Sequence, residues 1–287
     1  MIIAVASGKG GTGKTTVAVA LAQALAAEGS ATPLTFLDCD VEEPNAHLFL
    51  HPSIERREEV GILIPEVDPE TCTYCGRCAE VCAYHAIVVV GRKVLFFREL
   101  CHGCGSCALN CPERAIREVL HPTGTLEEGW AGKIRFVHGV LNVGEAMATP
   151  VIRQLKRRFL PTKGVAILDA PPGTACPVVE TLRGADFALM VTEPTPFGLH
   201  DLRLAVQVAR DELGIPVGVV INRDGVGDDR VDTYCREEGI PILLRIPLDR
   251  RVAEAYAQGK SILEALPEYR EQFVALYQRI QWEGGAL

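Results

Sequence analysis

The sequence predicts an α/β fold in which helices wrap a mostly parallel sheet and a smaller α+β domain is inserted. Strand-like apolar runs alternate with helical patterns along most of the chain, as in sheets whose parallel strands are joined by crossover helices. These runs are continuously apolar rather than alternating, which suits strands buried on both faces. A cysteine-rich repeat interrupts the alternation once and marks the insertion.

Composition limits the kind of protein. The chain has 287 residues, of which 48% are hydrophobic and 23% are charged, and these values exclude a disordered, collagenous or coiled-coil chain. The net charge is −8, so neither a nucleic-acid partner nor a membrane partner is expected. Residues 1–7 are typical of a first strand rather than a signal peptide, and no apolar run reaches the roughly 20 residues of a membrane span. The expected location is cytoplasmic.

The strands and helices follow one another in a regular order. Strands are expected at residues 1–6, 34–37, 134–140, 165–168, 187–191, 217–221 and 242–246. Helices are expected at residues 14–28, 147–159, 199–213 and 250–258. A last helix places Phe273, Leu276 and Ile280 on one face, and it lacks the basic polar face of a membrane-surface helix.

The insertion is an internal repeat. A shift of 29 residues maps Cys72, Cys75, Cys78 and Cys82 onto Cys101, Cys104, Cys107 and Cys111. Since no export signal accompanies these cysteines, metal binding is favoured over disulfide bonds. We expect residues 60–120 to form a small domain, inserted into a larger one built from residues 1–59 and 121–287.

A phosphate-binding loop is expected between the first strand and the first helix. Residues 8–15 satisfy the pattern G-x-x-x-x-G-K-[ST], in which backbone N–H groups face phosphate oxygens, the lysine adds a positive charge and the threonine a magnesium ligand. The expected nucleotide contacts are Gly8, Lys9, Gly10, Gly11, Thr12, Gly13, Lys14, Thr15 and Thr16. The alternative is a glycine-rich turn without a ligand.

The run K-G-G-T-G-K-T at residues 9–15 resembles the deviant Walker A loop of the MinD, ParA and nitrogenase iron-protein family, and with it the P-loop NTPase fold. The resemblance implies an ATPase that uses ATP and Mg²⁺ and holds ATP between two subunits. These form either a homodimer or a heterodimer with a paralogous ATPase. Lys9 would then reach phosphates across the dimer and act in catalysis with Lys14. Without the resemblance, Lys9 is expected to be a solvent-exposed charge in the loop.

Further motifs extend the resemblance. The run at residues 38–45 is similar to the family's first switch, which implies that Asp40 activates the attacking water and Asp38 lies near the magnesium ion. The run D-A-P-P-G that begins at Asp169 is similar to the family's Walker B and second switch, and Asp169 would be both a magnesium ligand and a catalytic residue. Asn222, Pro247 and Asp249 would surround the base. Turn and cap roles for such acids and asparagines stay open.

The cysteine spacing points to iron–sulfur clusters. The pattern C-x-x-C-x-x-C-x-x-x-C occurs twice, and in such runs three thiolates hold one cluster while the fourth reaches another. The crossed pattern assigns Cys72, Cys75, Cys78 and Cys111 to one 4Fe-4S cluster, and Cys82, Cys101, Cys104 and Cys107 to the second. The segment resembles bacterial two-cluster ferredoxins, although Ala83 stands where their pattern has a proline. A zinc site of four thiolates is the alternative.

Three cysteines lie outside the repeat. Cys39 and Cys235 are expected to be small packing residues. Cys176 precedes Pro177 at an expected helix start, where a helix terminus lowers the pKa of a thiol. In the nitrogenase iron protein a similarly placed cysteine binds a cluster shared by two subunits, but a symmetric dimer of this chain would offer only half of the four thiolates required. We therefore expect a switch-coupled or structural thiol.

The motifs together resemble MinD-superfamily ATPases that carry an inserted ferredoxin domain. Because the cysteines follow the first switch, the leading hypothesis is a dimeric ATPase whose nucleotide state governs electron transfer through two 4Fe-4S clusters to a redox or metalloprotein partner. A metallocofactor or iron–sulfur assembly or carrier ATPase is the second hypothesis, although the C-x-x-C of related scaffolds is reduced here to Cys235 alone. The third is a redox-sensing regulatory or positioning ATPase.

Overall fold

The computed structural model describes residues 1–29 and 32–285, and its centre is one large β-sheet. The strands are β1 (Ile2–Ala6), β2 (Leu34–Asp38), β3 (Ser53–Val67), β4 (Ile87–Val90), β5 (Lys93–Phe96), β6 (Ile116–Ala131), β7 (Ile134–Leu141), β8 (Val165–Asp169), β9 (Phe187–Thr192), β10 (Val217–Asp224) and β11 (Ile242–Pro247). Nine of them form the sheet, in the order β11-β10-β9-β1-β8-β2-β7-β6-β3. The strands from β11 to β7 run parallel, and β6 and β3 extend the sheet in antiparallel pairing.

The chain has eleven α-helices in its described part, of which all but the third and fourth lie outside the cysteine segment. They are α1 (Lys14–Ala27), α2 (His47–Leu50), α3 (Arg77–Glu80), α4 (Ser106–Leu109), α5 (Thr149–Phe159), α6 (Cys176–Leu182), α7 (Pro196–Val206), α8 (Arg230–Glu237), α9 (Arg250–Ala257), α10 (Ile262–Ala265) and α11 (Arg270–Glu283). Successive β1 residues belong to two different buried clusters, because neighbouring strand side chains point to opposite faces. One cluster contains α5 to α8, and the other contains α1 and α11.

The parallel α/β sheet predicted from the sequence is confirmed. All seven predicted strands form, with ends that move by one to three residues. The helix predicted at 199–213 begins earlier, since Pro196 supplies a fixed first residue and the Thr195 hydroxyl accepts a hydrogen bond from the Gly198 N–H at 3.0 Å. It continues as the π-helical turn Gln207–Glu212. In the described part of the chain, no helix is long and apolar enough to cross a membrane.

A long antiparallel ribbon joins the cysteine segment to the sheet, and the sequence did not predict it. β3 and β6 pair from Ser53 opposite Trp130 to Val67 opposite Ile116, whereas β7 pairs with β6 only from Gly124 onward. The register shifts between Val60 and Gly61, and a Cβ atom at Gly61 would lie 1.9 Å from the His121 carbonyl oxygen. This close crossing needs glycine, and beyond it the ribbon leaves the sheet.

Candidate nucleotide site and cysteine cavities

The phosphate loop is shaped by glycines at the end of β1. Gly11 and Gly13 have φ angles of 77° and 93°, which side chains disfavour. A Cβ atom at Gly8 would lie 2.2 Å from the Asp201 carbonyl oxygen, and one at Gly13 would lie 2.4 Å from the Asn222 amide nitrogen. The loop thus lies against two neighbouring segments, and α1 begins directly after it with Lys14.

A buried carboxylate lies beside the loop and fits a magnesium ion. Asp169 ends β8 and is fully buried, and no hydrogen bond of good geometry reaches either of its carboxylate oxygens. Burial raises the pKa of Asp169, while Lys14 and the nearby Thr15 hydroxyl lower it. Buried oxygens without a partner are costly, and Mg²⁺ prefers oxygen ligands such as carboxylate and hydroxyl groups. Asp169 and Thr15 are therefore the residues that would hold it.

Asp38 shapes the following loop. One of its oxygens accepts a hydrogen bond from the Asp40 N–H at 3.1 Å, and the other accepts bonds from the N–H groups of Asn45 and Ala46 at 3.1 and 3.0 Å. Burial and the nearby Asp169 raise the pKa of Asp38. The carboxyl group organises residues 38–46 from within, and its predicted place near the magnesium ion stays a prediction.

Asp40 lies closer to solvent, facing the phosphate loop. Burial raises the pKa of Asp40 to about 6, and the charge of Lys14 opposes that shift. A carboxyl group with this pKa is mostly ionised at neutral pH and can accept a proton. This environment is compatible with the predicted activation of water by Asp40, which stays a prediction.

Two residues predicted to act on the nucleotide are held by other residues. Lys9 forms an ion pair with the buried Glu193 at 3.4 Å, and Arg223 binds the same carboxylate. The Asn222 amide donates a hydrogen bond to the Thr12 carbonyl at 2.7 Å and so fastens the loop to the end of β10. Sequence reasoning missed Glu193 and Arg223, because their contacts with the loop join segments distant in the chain.

The predicted base-contacting residues lie at the same edge of the sheet. Asn222 on β10 is in register with Ile246 on β11, and Pro247 ends that strand. Asp249 caps the amino end of α9, where its carboxylate accepts a hydrogen bond from the Arg251 N–H at 2.8 Å. The structure therefore brings these residues to the carboxyl ends of the strands, which is where open α/β sheets bind ligands.

The eight repeated cysteines line two cavities. One is lined by Cys72, Cys75, Cys78 and Cys111, and the other by Cys82, Cys101, Cys104 and Cys107. Each set contains three cysteines of one repeat and the last cysteine of the other. Among the described residues, no three His, Cys, Asp or Glu side chains are placed to hold a single metal ion. The 4Fe-4S assignment and the alternative of a zinc site of four thiolates both stay predictions.

The two repeats have the same backbone. Gly76 and Gly105, 29 residues apart, have φ angles of 83° and 73°, and His85 and Arg114 have φ angles of 52° and 53°. The Cys82 sulfur accepts a hydrogen bond from the Ala86 N–H, and the Cys111 sulfur accepts one from the Ala115 N–H, both at 3.3 Å. The sequence repeat is thus also a structural repeat around the cysteine sulfurs.

The other cysteines lie apart from these cavities. Cys39 and Cys235 are buried, and burial raises the pKa of both thiols, which suits the predicted packing role. Cys176 is exposed as the first residue of α6. Its predicted role as a switch-coupled or structural thiol stays a prediction.

A chain of hydrogen bonds links the loop after β2 to the base of the ribbon. The Val41 carbonyl accepts a bond from the Leu141 N–H at 2.7 Å. The next residue, Asn142, donates its N–H to the Thr123 carbonyl at 2.9 Å and its side-chain amide to the Pro122 carbonyl at 3.1 Å. Nothing in the local sequence marks Asn142, because the partners come from three separate segments.

The parallel sheet, the phosphate loop after β1 and the acid at the end of β8 define a P-loop nucleotide-binding ATPase. The family model of the CobQ/CobB/MinD/ParA nucleotide binding domain matches residues 3–262, and the chain belongs to this family. It is an ATPase of the MinD/ParA type.

Several archaeal proteins are similar to this chain. Two uncharacterized proteins of Methanocaldococcus jannaschii, MJ0579 and MJ0578, are 34% and 28% identical, and the alignments cover 92% and 98% of this chain and 92% and 96% of theirs. A Pyrococcus horikoshii protein named iron-sulfur cluster carrier protein is 26% identical over 99% of this chain and 88% of its own. The Pyrococcus horikoshii septum site-determining protein MinD, solved with Mg-ADP, aligns with a TM-score of 0.59 at 18% identity, covering 97% and 95% of the two chains. This last likeness concerns the fold.

Proposed function

We propose that this ATPase carries two 4Fe-4S clusters in an inserted domain of residues 60–120 and that its nucleotide state governs electron transfer to a partner protein. The observation that carries the proposal is the pair of cavities, each lined by four cysteines in the crossed combination. Short cysteine spacings that share a fourth ligand across two sites are typical of two-cluster ferredoxins.

The two cysteine sets suit iron–sulfur clusters chemically. Each set offers four sulfur ligands, and N–H groups directed at Cys82 and Cys111 stabilise negative charge on sulfur. Bound clusters would supply one-electron chemistry at this position. The protein supplies the ligands, the apolar Ile87 and Ile116 that restrict water, and the connection to the nucleotide site.

The connection begins in the predicted first switch. Val41 follows Asp40, and its carbonyl accepts a hydrogen bond from Leu141. The next residue, Asn142, donates hydrogen bonds to Pro122 and Thr123 where the ribbon leaves the sheet. A loop that differs between ATP-bound and ADP-bound states would move one end of this chain of contacts. The ribbon continues from there to the cysteine cavities, since Leu63 and Glu118 line one of them.

The family suggests that two subunits form the complete ATP site. Lys9 would leave Glu193 and reach the phosphates held by the other subunit. MJ0579 and MJ0578 occur in one organism and both resemble this chain over most of its length, which supports a pair of paralogues, and a homodimer is the alternative.

The test measures partner reduction by dithionite-reduced protein in the presence of ATP, of ADP and in the Lys14→Ala variant. Candidate partners are captured anaerobically with non-hydrolysable ATP. We expect the rate with ATP to differ from the other two, because only that state orders the switch. Equal rates in all three would reject nucleotide-governed transfer.

A second candidate function is delivery of iron–sulfur clusters. The relative named iron-sulfur cluster carrier protein, aligned along 99% of this chain, favours it. In that case the clusters would move to an apo-acceptor and resist competition by free iron and sulfide. Loss of cluster from this protein in step with its gain by the acceptor would support delivery over electron transfer.

A further inference from the structure

The β4–β5 hairpin forms a thin cover over both cysteine cavities. Ala86, Ile87 and Phe96 line one cavity, and Val89 lines the other. Since side chains alternate along a strand, Ile87, Val89 and Phe96 face inward and pack in the small buried cluster around Cys78. One layer of β-structure therefore separates the cysteines from whatever contacts the outer face.

The outer face of the hairpin is apolar and exposed. Val88 pairs with Leu95 across the strands, and Phe97 continues the row because its N–H donates to the Ala86 carbonyl at 2.7 Å. Val90, Leu95 and Phe97 are 59%, 45% and 44% exposed. A contiguous apolar patch with a polar rim is typical of a protein–protein contact.

Three basic residues lie at the rim of this patch, together with the exposed acid Glu99. Arg92 lies in the hairpin turn, Lys93 begins β5, and Arg98 follows Phe97, and all three side chains are exposed. Within residues 1–29 and 32–285 none of them forms an ion pair, unlike Arg77 and Arg117 elsewhere in the segment. Unpaired cations around an apolar patch favour a partner that carries carboxylates in the matching positions.

We propose that the outer face of the hairpin, formed by Val88, Val90, Leu95 and Phe97 and rimmed by Arg92, Lys93 and Arg98, docks an acidic electron-transfer protein. The inference rests on the proposed function and names the partner's chemistry. If the two cysteine sets hold clusters that a reductant has reduced, docking here would let the partner accept one electron from a cluster, which would be oxidised by one electron. Packed sheets lie about 10 Å apart, so docking here brings the partner close to the cysteines.

A second copy of this chain is a poorer occupant. In a two-fold contact the same patch would face itself, and the basic rims of both copies would meet. Like charges placed opposite one another disfavour association. An acidic partner removes this repulsion and covers the same apolar residues.

The experiment uses the full chain, loaded with clusters anaerobically and reduced with dithionite. Two oxidants are compared by stopped flow: an acidic flavodoxin, as the protein probe, and a small neutral quinone. The variants are Arg92→Glu/Lys93→Glu for the rim and Val90→Ser/Leu95→Ser for the patch. Lys133→Glu/Lys163→Glu is the matched control, because both lysines are exposed and the change in net charge is the same.

We expect the rim variant to lower the second-order rate with flavodoxin about tenfold at low salt, with the difference shrinking as salt rises. We expect the patch variant to lower it about fivefold, and the control and all quinone rates to stay at wild-type values. Arg98→Glu, outside both strands, gives a second test of the rim without altering the hairpin.

The outcomes separate the two proposals. Wild-type protein without iron, or without any quinone reaction, would contradict the proposed function. Iron-loaded variants whose flavodoxin rates all equal wild type would overturn the docking surface and leave the proposed function standing. Self-association that disappears in Val90→Ser/Leu95→Ser would also overturn it, in favour of a second copy.

Discussion

The sheet with its covering helices, here called the nucleotide half, and residues 68–115, the cysteine segment, are stabilised in different ways. The sheet buries whole layers of large side chains, with Phe36, Phe136 and Phe187 inaccessible to solvent, and such a core folds without a ligand. The cysteine segment has a buried cluster of only Cys78, Ile87 and Ile116, with partly buried residues around it. Small domains with so little core depend on metals or disulfides. If the cysteine sets hold the proposed clusters, we expect the nucleotide half to bind its ligand after folding and the cysteine segment to fold around its clusters.

The largest expected effect is that loss of iron unfolds the cysteine segment alone. Removal of iron by an anaerobic chelator, or by Cys78→Ala/Cys107→Ala, should unfold residues 68–115 while the sheet stays folded, because metal binding and folding are coupled in small metal domains. Hydrogen exchange and limited proteolysis measure this. Cys176→Ser, which changes an exposed cysteine, should leave the protection unchanged, and an apo segment that stays protected would contradict the comparison.

The second effect belongs to the nucleotide half alone. Lys14→Ala should lower ATP hydrolysis by about 10²- to 10³-fold, since one charge aimed at developing negative charge is removed. Iron content should stay at the wild-type value. Lys163→Ala serves as control, because Lys163 is exposed and lies before β8, at the amino ends of the parallel strands. A parallel loss of iron would mean that the halves do not fold independently.

A third test sharpens the assignment of the cysteines. Cys82 and Cys101 line the same cavity. Cys82→Ala and Cys101→Ala should therefore each remove half of the iron, and the variant with both substitutions should lose no more than half. Cys101→Ala/Cys111→Ala should remove all of it. Iron analysis and the electron paramagnetic resonance spectrum of the reduced protein measure both. The reverse result would assign each cluster to a single repeat.

The smallest effect concerns the contact between the halves. Asn142→Ala removes the bond to the Pro122 carbonyl at 3.1 Å and should lower the free energy of unfolding by about 0.5–1.5 kcal/mol. ATP hydrolysis and iron content should stay unchanged, whereas the effect of ATP on partner reduction should weaken. Asn110→Ala, which removes another side-chain bond to a carbonyl, is the control. If ATP changes the rate of partner reduction in Asn142→Ala as much as in wild type, Asn142 does not link the nucleotide site to the ribbon.

The sequence predicted the buried parts better than the exposed ones. Continuous apolar runs made the parallel strands visible, and the spacing of residues 8–15 located the loop because its chemistry is local. β3 was missed, since residues 55–59 are all charged and the ribbon exposes most of them to solvent. The contacts of Asn222 with Thr12 and of Lys9 with Glu193 join distant segments, so periodicity and spacing carry no signal for them.

The central claim is that the nucleotide site governs the proposed clusters. The most direct measurement is the electron paramagnetic resonance spectrum, with iron content, of anaerobically purified and reduced protein in Mg-ATP and in Mg-ADP. We expect iron for two clusters in each chain and a spectrum that changes with ATP in wild type but not in Lys14→Ala. Colourless, iron-free protein that still hydrolyses ATP, or identical spectra in both nucleotides, would contradict the claim.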